Sequence, residues 1–228
     1  MRPSKGEHAT MNQAQLLPLN ATAAIFDFDG TLADTACIWH EVDHAFLSKR
    51  DLPYTPDYPE RLAALGFVGG ALYTKERFGL SETVEQICAE WTSLSQDMYR
   101  KKVVLRSGAE RYITRLRQAG IPCALATTND ASVLYHMQRI DVRSLFDTCV
   151  FGAEVGCGKD RPDIYEEAAR RLNVRTRDCL VFEDIVPAIR SAKLAGARTC
   201  AVKANDPSQQ WDKATRLADM WIEGWNRL

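Results

Sequence analysis

Residues 24–34 read AIFDFDGTLAD, an apolar run that leads into three aspartates and a glycine. Residues 23–28 are apolar apart from Asp27, and this pattern predicts a buried strand. A carboxylate buried without a partner destabilises a fold by several kcal/mol. Groups that neutralise or hydrogen-bond Asp27 and Asp29 are therefore expected in other segments of the chain.

Four more short apolar runs rich in β-forming residues recur, over residues 122–127, 148–151, 179–182 and 199–203. Apolar residues at helical spacing lie near them, over residues 109–119, 131–140, 163–172 and 187–195. This alternation predicts an α/β fold, a Rossmann-like parallel sheet with helices on both faces. Ligands of such sheets bind beyond the carboxyl ends of the strands, so a site is expected there.

Residues 36–106 differ from the rest because they show helical periodicity and no convincing strand. Helices are predicted over residues 38–47, 58–65, 72–78 and 84–99. About seventy residues is far longer than an ordinary strand-to-helix connection, so we interpret this segment as an all-helical insertion that caps the site. The predicted division is a flexible N-terminal tail (1–20), a core (21–35 and 107–228) and the helical insertion (36–106).

The composition is that of a globular chain without a charge bias, with 29 Lys and Arg against 30 Asp and Glu. A nucleic-acid partner is not expected, because such proteins carry an excess of basic residues. No apolar run is long enough to span a bilayer and residues 1–20 lack a signal-peptide core, so no membrane partner is expected and a cytoplasmic location is predicted. The 7 cysteines contain no C-x-x-C pair, which favours reduced thiols. The expected partner is a small molecule, and the expected state is a monomer or weak dimer.

Polar side chains with matching chemistry follow four of the predicted strands. They are Asp27 and Asp29, then Thr127, Thr128 and Asn129, then Lys159, and finally Glu183 and Asp184. The carboxyl ends of parallel strands meet at one edge, so these groups are expected to converge. Carboxylate oxygens are hard ligands that suit Mg²⁺. Lys159 and the Thr127 hydroxyl are placed to balance the remaining charge or to hold a phosphate.

Four segments in this order resemble the motifs of the haloacid dehalogenase-like superfamily of aspartate-based phosphotransferases. They are DFDGTL (27–32), ALAT (124–127), GKDRPDIY (158–165) and VFED (181–184) with AKLAG (192–196). The resemblance covers nearly the whole chain after residue 21. A helical insertion after the first motif resembles the group that holds β-phosphoglucomutase and phosphoglycolate phosphatase.

The resemblance implies that Asp27 is the nucleophile, which forms an aspartyl-phosphate, and that Asp29 is the general acid and base. The implied Mg²⁺ ligands are Asp27, Asp29 through its backbone carbonyl, Glu183 and Asp184. The implied phosphate-binding residues are Thr127, Thr128, Asn129 and Lys159, and strand register favours Thr127 over Thr128 as the motif hydroxyl. The expected function is Mg²⁺-dependent hydrolysis of a phosphomonoester of a small metabolite, such as a sugar phosphate.

A β-phosphoglucomutase-like phosphosugar mutase is the alternative within the same family. A mutase must hold a second phosphate, so its cap should offer cationic groups. The candidate cap loop over residues 65–74 has no positive charge before Lys75, and Arg61 lies just ahead of it. This pattern favours hydrolysis, and the substrate is left undetermined because the motifs are shared by the whole family.

Two further features bear on the interpretation. Residues 40–44 read HEVDH and match H-E-x-x-H, which on a helix brings two histidines to one face and is typical of zinc peptidases. No third-ligand motif accompanies it, and a metallopeptidase is the alternative from another class of protein. The fourth motif also departs from the family's ED-Ser-x-x-Gly pattern, with Ile185 and Ala188 at the serine and glycine positions. The contacts that support its metal ligands are therefore expected to differ from those of the family.

Overall fold

The computed structural model describes residues 17–228, except for the side chain of Ala63. Within this range one sheet contains six parallel strands. They are β1 (Ala23–Phe26), β2 (Cys123–Thr127), β3 (Thr148–Phe151), β4 (Cys179–Glu183), β5 (Arg198–Val202) and β6 (Met220–Ile222). Their order in the sheet is β3-β2-β1-β4-β5-β6, so the first strand lies in the centre. The predicted parallel α/β fold is confirmed.

The α-helices of the described chain connect and flank these strands. They are α1 (Ala36–Ser48), α2 (Asp57–Phe78), α3 (Val84–Lys102), α4 (Ala109–Gln118), α5 (Ala131–Leu134), α6 (Val142–Leu145), α7 (Gly152–Val155), α8 (Asp163–Arg171), α9 (Val186–Leu194) and α10 (Trp211–Leu217). The first three lie between β1 and α4, as the periodicity of residues 36–106 predicts. No helix among residues 17–228 is both long and apolar enough to cross a membrane.

Successive residues of the central strands face opposite layers of the core, because side chains alternate along a strand. Phe26 and Phe182 pack on the layer of α4, with ring centroids 4.8 Å apart. Ile25 and Val181 pack on the other layer, against α8 and α9. Both faces of the sheet are therefore buried, which explains why β1 is apolar at every position.

Three boundaries differ from the sequence-based predictions. The strand predicted over residues 23–28 ends at Phe26, because the chain turns there and the amides of Leu32 and Ala33 both bond to the carbonyl of Phe28. The helix predicted over residues 131–140 is only the short α5. Strand β6 was not predicted, since three residues are too few for a periodic pattern.

The candidate cap loop over residues 65–74 is wrong, because all of these residues except Gly66 are helical. The prediction of two helices, 58–65 and 72–78, is confirmed in outline, because α2 consists of two helices that meet at a kink at the non-helical Gly66, where φ is +68°. The second helix begins directly after Gly66 and not at Leu72. Gly70 lies inside the helix at a close approach, since a Cβ there would lie 2.9 Å from Leu62 Cδ2. These glycines permit packing and a kink rather than forming a loop.

The two connections between the helical insertion and the sheet run side by side. Ala33 and Leu105 form an antiparallel bridge, and the Asp34 carboxylate lies 3.3 Å from the Arg106 guanidinium. Of the predicted N-terminal tail, residues 1–16 lie outside the described part of the chain. Leu17 is fully buried in the main core. The core therefore includes chain at least four residues before residue 21, where it was predicted to begin.

Candidate active site

The central strand brings Asp27 beside the acidic end of β4. Phe26 pairs with Phe182, and the Asp27 amide donates to the Phe182 carbonyl at 3.1 Å. Asp27, Glu183 and Asp184 are buried, and each offers a carboxylate oxygen within 4.8 Å of the others. The predicted convergence of these three carboxylates at one sheet edge is therefore observed.

Lys159 is the partner that the sequence of β1 requires. Its Nζ donates to Asp27 Oδ1 and to Glu183 Oε1, and the lysine itself is buried. The Tyr165 hydroxyl donates to the same Glu183 oxygen at 2.9 Å. The backbone amide of Lys159 donates to the Ala64 carbonyl at 3.0 Å, so this loop also contacts the helical insertion.

The cluster carries more negative than positive charge. Burial, with the nearby Glu183 carboxylate, raises the pKa of Asp27 to about 8 against the opposing effect of Lys159. Burial and the charge of Asp27 also raise the pKa of Asp184 well above its ordinary value. Burial opposes the charged form of Lys159, but the two neighbouring carboxylates outweigh it and raise the pKa of the lysine. Three buried carboxylates facing one ammonium are a donor set that suits a divalent cation.

Asp29 occupies a different environment from Asp27, because the chain has turned after β1. Its Oδ1 accepts hydrogen bonds from Thr35 at 2.7 Å, from the Trp39 indole at 3.3 Å and from the Tyr99 hydroxyl. Its Oδ2 accepts a hydrogen bond from the side-chain amide of Asn129 at 2.9 Å. The sequence does not mark Thr35, Trp39 or Tyr99 as partners of Asp29, because no motif contains them and Tyr99 is distant from Asp29 in the chain.

The polar residues after β2 have separate environments. Thr127 is buried, and its hydroxyl oxygen accepts a hydrogen bond from the backbone amide of Asn129 at 3.1 Å. Thr128 lies against the kink of α2, where a Cβ on Gly66 would come within 2.8 Å of the Thr128 Cβ. The hydrogen bond between the Asn129 side chain and Asp29 links this turn to the segment after β1.

Backbone and side-chain contacts hold Asp184 despite the altered fourth motif. Thr31 donates to Asp184 Oδ1 at 3.4 Å, and Gln209 donates to the Asp184 carbonyl at 2.9 Å. Gly30 has a φ of +79°, and a Cβ there would lie 2.1 Å from Asp184 Oδ2, so only glycine fits. Ala188, at the position of the missing glycine, is fully buried against the sheet.

A cavity of about 220 Å³ opens beside these groups. Its lining includes Asp29, Thr128, Asn129 and Asp184 from the sheet edge. The helical insertion contributes Trp39, His40, Asp43, Glu60, Phe67 and Trp91, and the segment 203–210 contributes Asp206 and Gln209. The cavity therefore lies between the sheet edge and the helical insertion.

The histidines of the H-E-x-x-H pattern both contact Tyr54. His40 Nδ1 shares a hydrogen bond with the Tyr54 hydroxyl, and the His44 ring stacks on the tyrosine at 4.0 Å. Among residues 17–228, one group of three or more possible metal ligands was found, and it contains neither histidine. The geometry gives the zinc-peptidase alternative no support.

The sequence profile of the haloacid dehalogenase-like hydrolases matches residues 24–202, which include every residue of this cluster. The chain belongs to the haloacid dehalogenase-like hydrolase family. The resemblance that the four motifs indicated is thereby confirmed. Curated relatives of the chain are named phosphatases, and this member of the family is an enzyme of the phosphatase type.

Three curated relatives illustrate the similarity. The chain is 29% identical over 175 residues to "Phosphorylated carbohydrates phosphatase" of Thermotoga maritima, covering 76% of this chain and 81% of that protein. It is 30% identical over 206 residues to "Probable pseudouridine-5'-phosphatase" of Drosophila melanogaster, covering 87% and 88% of the two chains. A third, "Hexitol phosphatase B" of Escherichia coli, is 25% identical over 221 residues, covering 92% of this chain and 96% of that protein.

Solved structures support the fold. A mutant form of CbbY from Rhodobacter sphaeroides, in complex with xylulose-(1,5)bisphosphate, superposes with a TM-score of 0.79 at 24% identity, covering 91% of this chain and 96% of that one. β-Phosphoglucomutase from Clostridium difficile gives a TM-score of 0.76 at 18% identity, with 91% and 93% covered. These likenesses show that the sheet and the helical insertion form the fold of this family.

Proposed function

We propose that this protein hydrolyses the phosphomonoester of a small metabolite, a phosphorylated carbohydrate or a similar compound, through an aspartyl-phosphate on Asp27. The observation that carries the proposal is the contact of Lys159 with both Asp27 and Glu183 beside the cavity. This contact holds the Asp27 carboxylate in place at the edge where a phosphate would enter. The names of the relatives support a phosphorylated carbohydrate as substrate.

The proposed reaction has two steps. A carboxylate oxygen of Asp27 attacks the phosphorus, and the bond from phosphorus to the leaving oxygen breaks while Asp29 donates a proton to that oxygen. Asp29 then takes a proton from water, whose oxygen attacks the phosphorus of the aspartyl-phosphate. Inorganic phosphate leaves, and the Asp27 carboxylate and the Asp29 proton are restored.

The proposed metal site consists of Asp27, Glu183 and Asp184, together with the Asp29 backbone carbonyl. Their hard oxygens and their excess negative charge suit Mg²⁺, which when bound neutralises the charge of the phosphoryl group. We assign the holding of phosphate oxygens to Lys159, to the Thr127 hydroxyl, and to Thr128 and Asn129. Thr127 is the preferred motif hydroxyl because it ends β2 on the buried side of the turn.

Hydrolysis is favoured over a mutase reaction by the lining of the cavity. Among the described residues that line it, none is a lysine or an arginine. Lys75 instead donates to the carbonyls of Leu80 and Glu82, at 2.9 and 2.6 Å, at the far end of α2. Arg61 is exposed and does not line the cavity. A second phosphate would find no cationic partner there.

We further propose that residues 36–106 act as a cap that closes on the substrate and excludes water. The paired connections at Ala33 and Leu105 are the natural hinge. The cap would also set specificity, because it contributes most of the aromatic lining of the cavity.

The test is phosphate release from phosphorylated sugars, sugar alcohols, short acids, nucleotides and an aryl phosphate, each with Mg²⁺ and with a chelator. We expect Mg²⁺-dependent release, strongest on one class of compound. Isomerisation of β-glucose 1-phosphate without net release would instead make the enzyme a mutase. Lack of turnover of every compound, including the aryl phosphate, would contradict the proposed function.

A further inference from the structure

Asp43 is a buried carboxyl group that the proposed reaction does not use. It lies on α1, is 4% exposed and lines the cavity. Burial alone raises its pKa to about 7, since no hydrogen bond or cation of the described chain offsets the loss of solvent. An unpaired buried carboxylate is costly, so a position that keeps one beside a cavity calls for a ligand.

The other charged groups that line the cavity are also acidic. Besides Asp29 and Asp184 at the catalytic edge, they are Glu60 on α2 and Asp206 after β5. His40 is the remaining titratable group of the lining. The lining therefore repels anions beyond the phosphate site and attracts a positive charge.

The apolar part of the lining is aromatic. Trp39 and Phe67 pack edge to face at 5.6 Å, and Phe67 and Trp91 do the same at 6.1 Å. The Trp91 indole nitrogen is buried and has no hydrogen-bond partner among the described residues. Aromatic rings attract cations at their faces.

Resting on the function proposed above, we infer that the leaving group of the substrate carries a cationic nitrogen, which Asp43 binds inside this aromatic and acidic cavity. An amino sugar phosphate or an amino alcohol phosphate has the required chemistry. The ammonium group donates hydrogen bonds to the Asp43 carboxylate, which otherwise has none.

A neutral hydroxyl fits these observations less well than an ammonium group. A hydroxyl would satisfy the hydrogen-bonding capacity of Asp43, but it would leave the charges of Asp43, Glu60 and Asp206 uncompensated. A second phosphate would add to them. Only a cation both pairs with the Asp43 carboxylate and compensates the negative charge of the other lining residues.

The experiment compares matched pairs of substrates that differ in one group. The pairs are glucosamine 6-phosphate with glucose 6-phosphate, and ethanolamine phosphate with ethylene glycol monophosphate. We expect kcat/KM to favour the amine of at least one pair by about tenfold or more, the scale of one charge-assisted hydrogen bond. The difference should lie in KM, because Asp43 does not touch the transferred phosphoryl group in this account.

The variant Asp43→Asn removes the charge and keeps the shape, and the expected ratio of amine to hydroxyl falls to about one. Glu41→Gln is the matched control, because Glu41 is an exposed carboxylate on the same helix that does not line the cavity. The control should keep the wild-type ratio. Taking the ratio within each enzyme cancels differences in the fraction of folded protein, and Asp43→Ser is a second variant should Asp43→Asn not fold.

The outcomes separate the two proposals. Equal use of amine and hydroxyl by the wild-type enzyme, or a preference that survives in the Asp43 variants, would overturn the inference about Asp43. If the aryl phosphate is hydrolysed with Mg²⁺ at the same time, the proposed phosphatase function stands. If no phosphate is released from any compound, the proposed function itself fails.

Discussion

Carboxylates lie buried both at the carboxyl edge of the sheet and in the cavity wall of the helical insertion. The two regions differ in the partners that these carboxylates have. Asp27 and Glu183 share the ammonium group of Lys159, and Asp29 accepts hydrogen bonds from four side chains. Asp43, equally buried, has no such partner among the described residues. In the first region the chain itself supplies partners to the carboxylates, although an excess of negative charge is left for a metal ion. In the second region the inferred ligand supplies the partner.

Burial alone therefore does not identify the role of a carboxylate. A paired carboxylate is held in one orientation, as a nucleophile or a metal ligand requires. An unpaired one lowers stability until something binds it, as expected of a specificity element. The following predictions, in order of decreasing effect, test this contrast.

Removing the ammonium group of Lys159, which pairs with Asp27 and Glu183, should have the largest effect. Lys159→Met leaves Asp27 and Glu183 buried without their cation, so we expect the free energy of unfolding to fall by about 3–5 kcal/mol and phosphate release to be lost. Urea unfolding with and without Mg²⁺ measures this, and the loss should be smaller with Mg²⁺. Lys101→Met, which removes an exposed lysine, is the control; an equal effect of both variants would show that the pairing of Lys159 is unimportant.

Removing the charge from the unpaired region should stabilise the fold in a pH-dependent way. The pKa of Asp43 is raised from 3.8 to about 7, so the folded state binds the proton more tightly and the wild type loses stability as pH rises between these values. Asp43→Asn should therefore raise the free energy of unfolding by up to about 4 kcal/mol above pH 7 and change it little below pH 4.

The groups that face Asp43 bear on this pH dependence. They are His40, on the same helix, and two tyrosines, Tyr54 and Tyr58. Burial first, and in part the charge of Asp43, raise the pKa of each tyrosine. Urea unfolding of both proteins between pH 4 and pH 8 measures the difference, and Glu41→Gln serves as control. A stability difference that does not change with pH would show that Asp43 is not the titrating group.

The smallest effect is expected where one of several donors is removed. Tyr99→Phe deletes one hydrogen bond to Asp29, while Thr35, Trp39 and Asn129 keep theirs. We expect kcat to fall by about tenfold, the scale of one hydrogen bond to a charged group. Tyr58→Phe is the control, because it removes an equally buried hydroxyl that bonds Thr74 at 2.8 Å instead of a site residue. Equal losses of kcat in both variants would refute a specific role for Tyr99.

The sequence predicts the sheet and the convergence of polar side chains at its edge well, because both depend on local patterns. Apolar runs define β1 to β5, and parallel topology alone brings Asp27, Lys159 and Glu183 to one edge. The helical insertion is harder, since Gly66, Gly69 and Gly70 suggest a loop, although only Gly66 interrupts the helix and Gly69 and Gly70 are helical. Glycine there serves the kink and close helix packing, which only the tertiary structure reveals.

The parts of the site that were missed are those that come from the helical insertion. Tyr99 and Trp39 reach Asp29 from helices whose periodicity indicates burial but not which neighbour they meet. The sequence marks Asp43 only as a residue inside the H-E-x-x-H match, in which the histidines are the expected metal ligands. Contacts between distant helices depend on packing angles that spacing in the sequence does not fix.

The central claim is that Asp27 accepts the phosphoryl group. The most direct measurement is mass spectrometry of the enzyme, acid-quenched during turnover of its best substrate with Mg²⁺, followed by peptide mapping of the modified residue. The account predicts one added phosphoryl group on Asp27 in the wild type, and neither this group nor turnover in Asp27→Asn. A phosphoryl group on another residue, or undiminished turnover by Asp27→Asn, would contradict it.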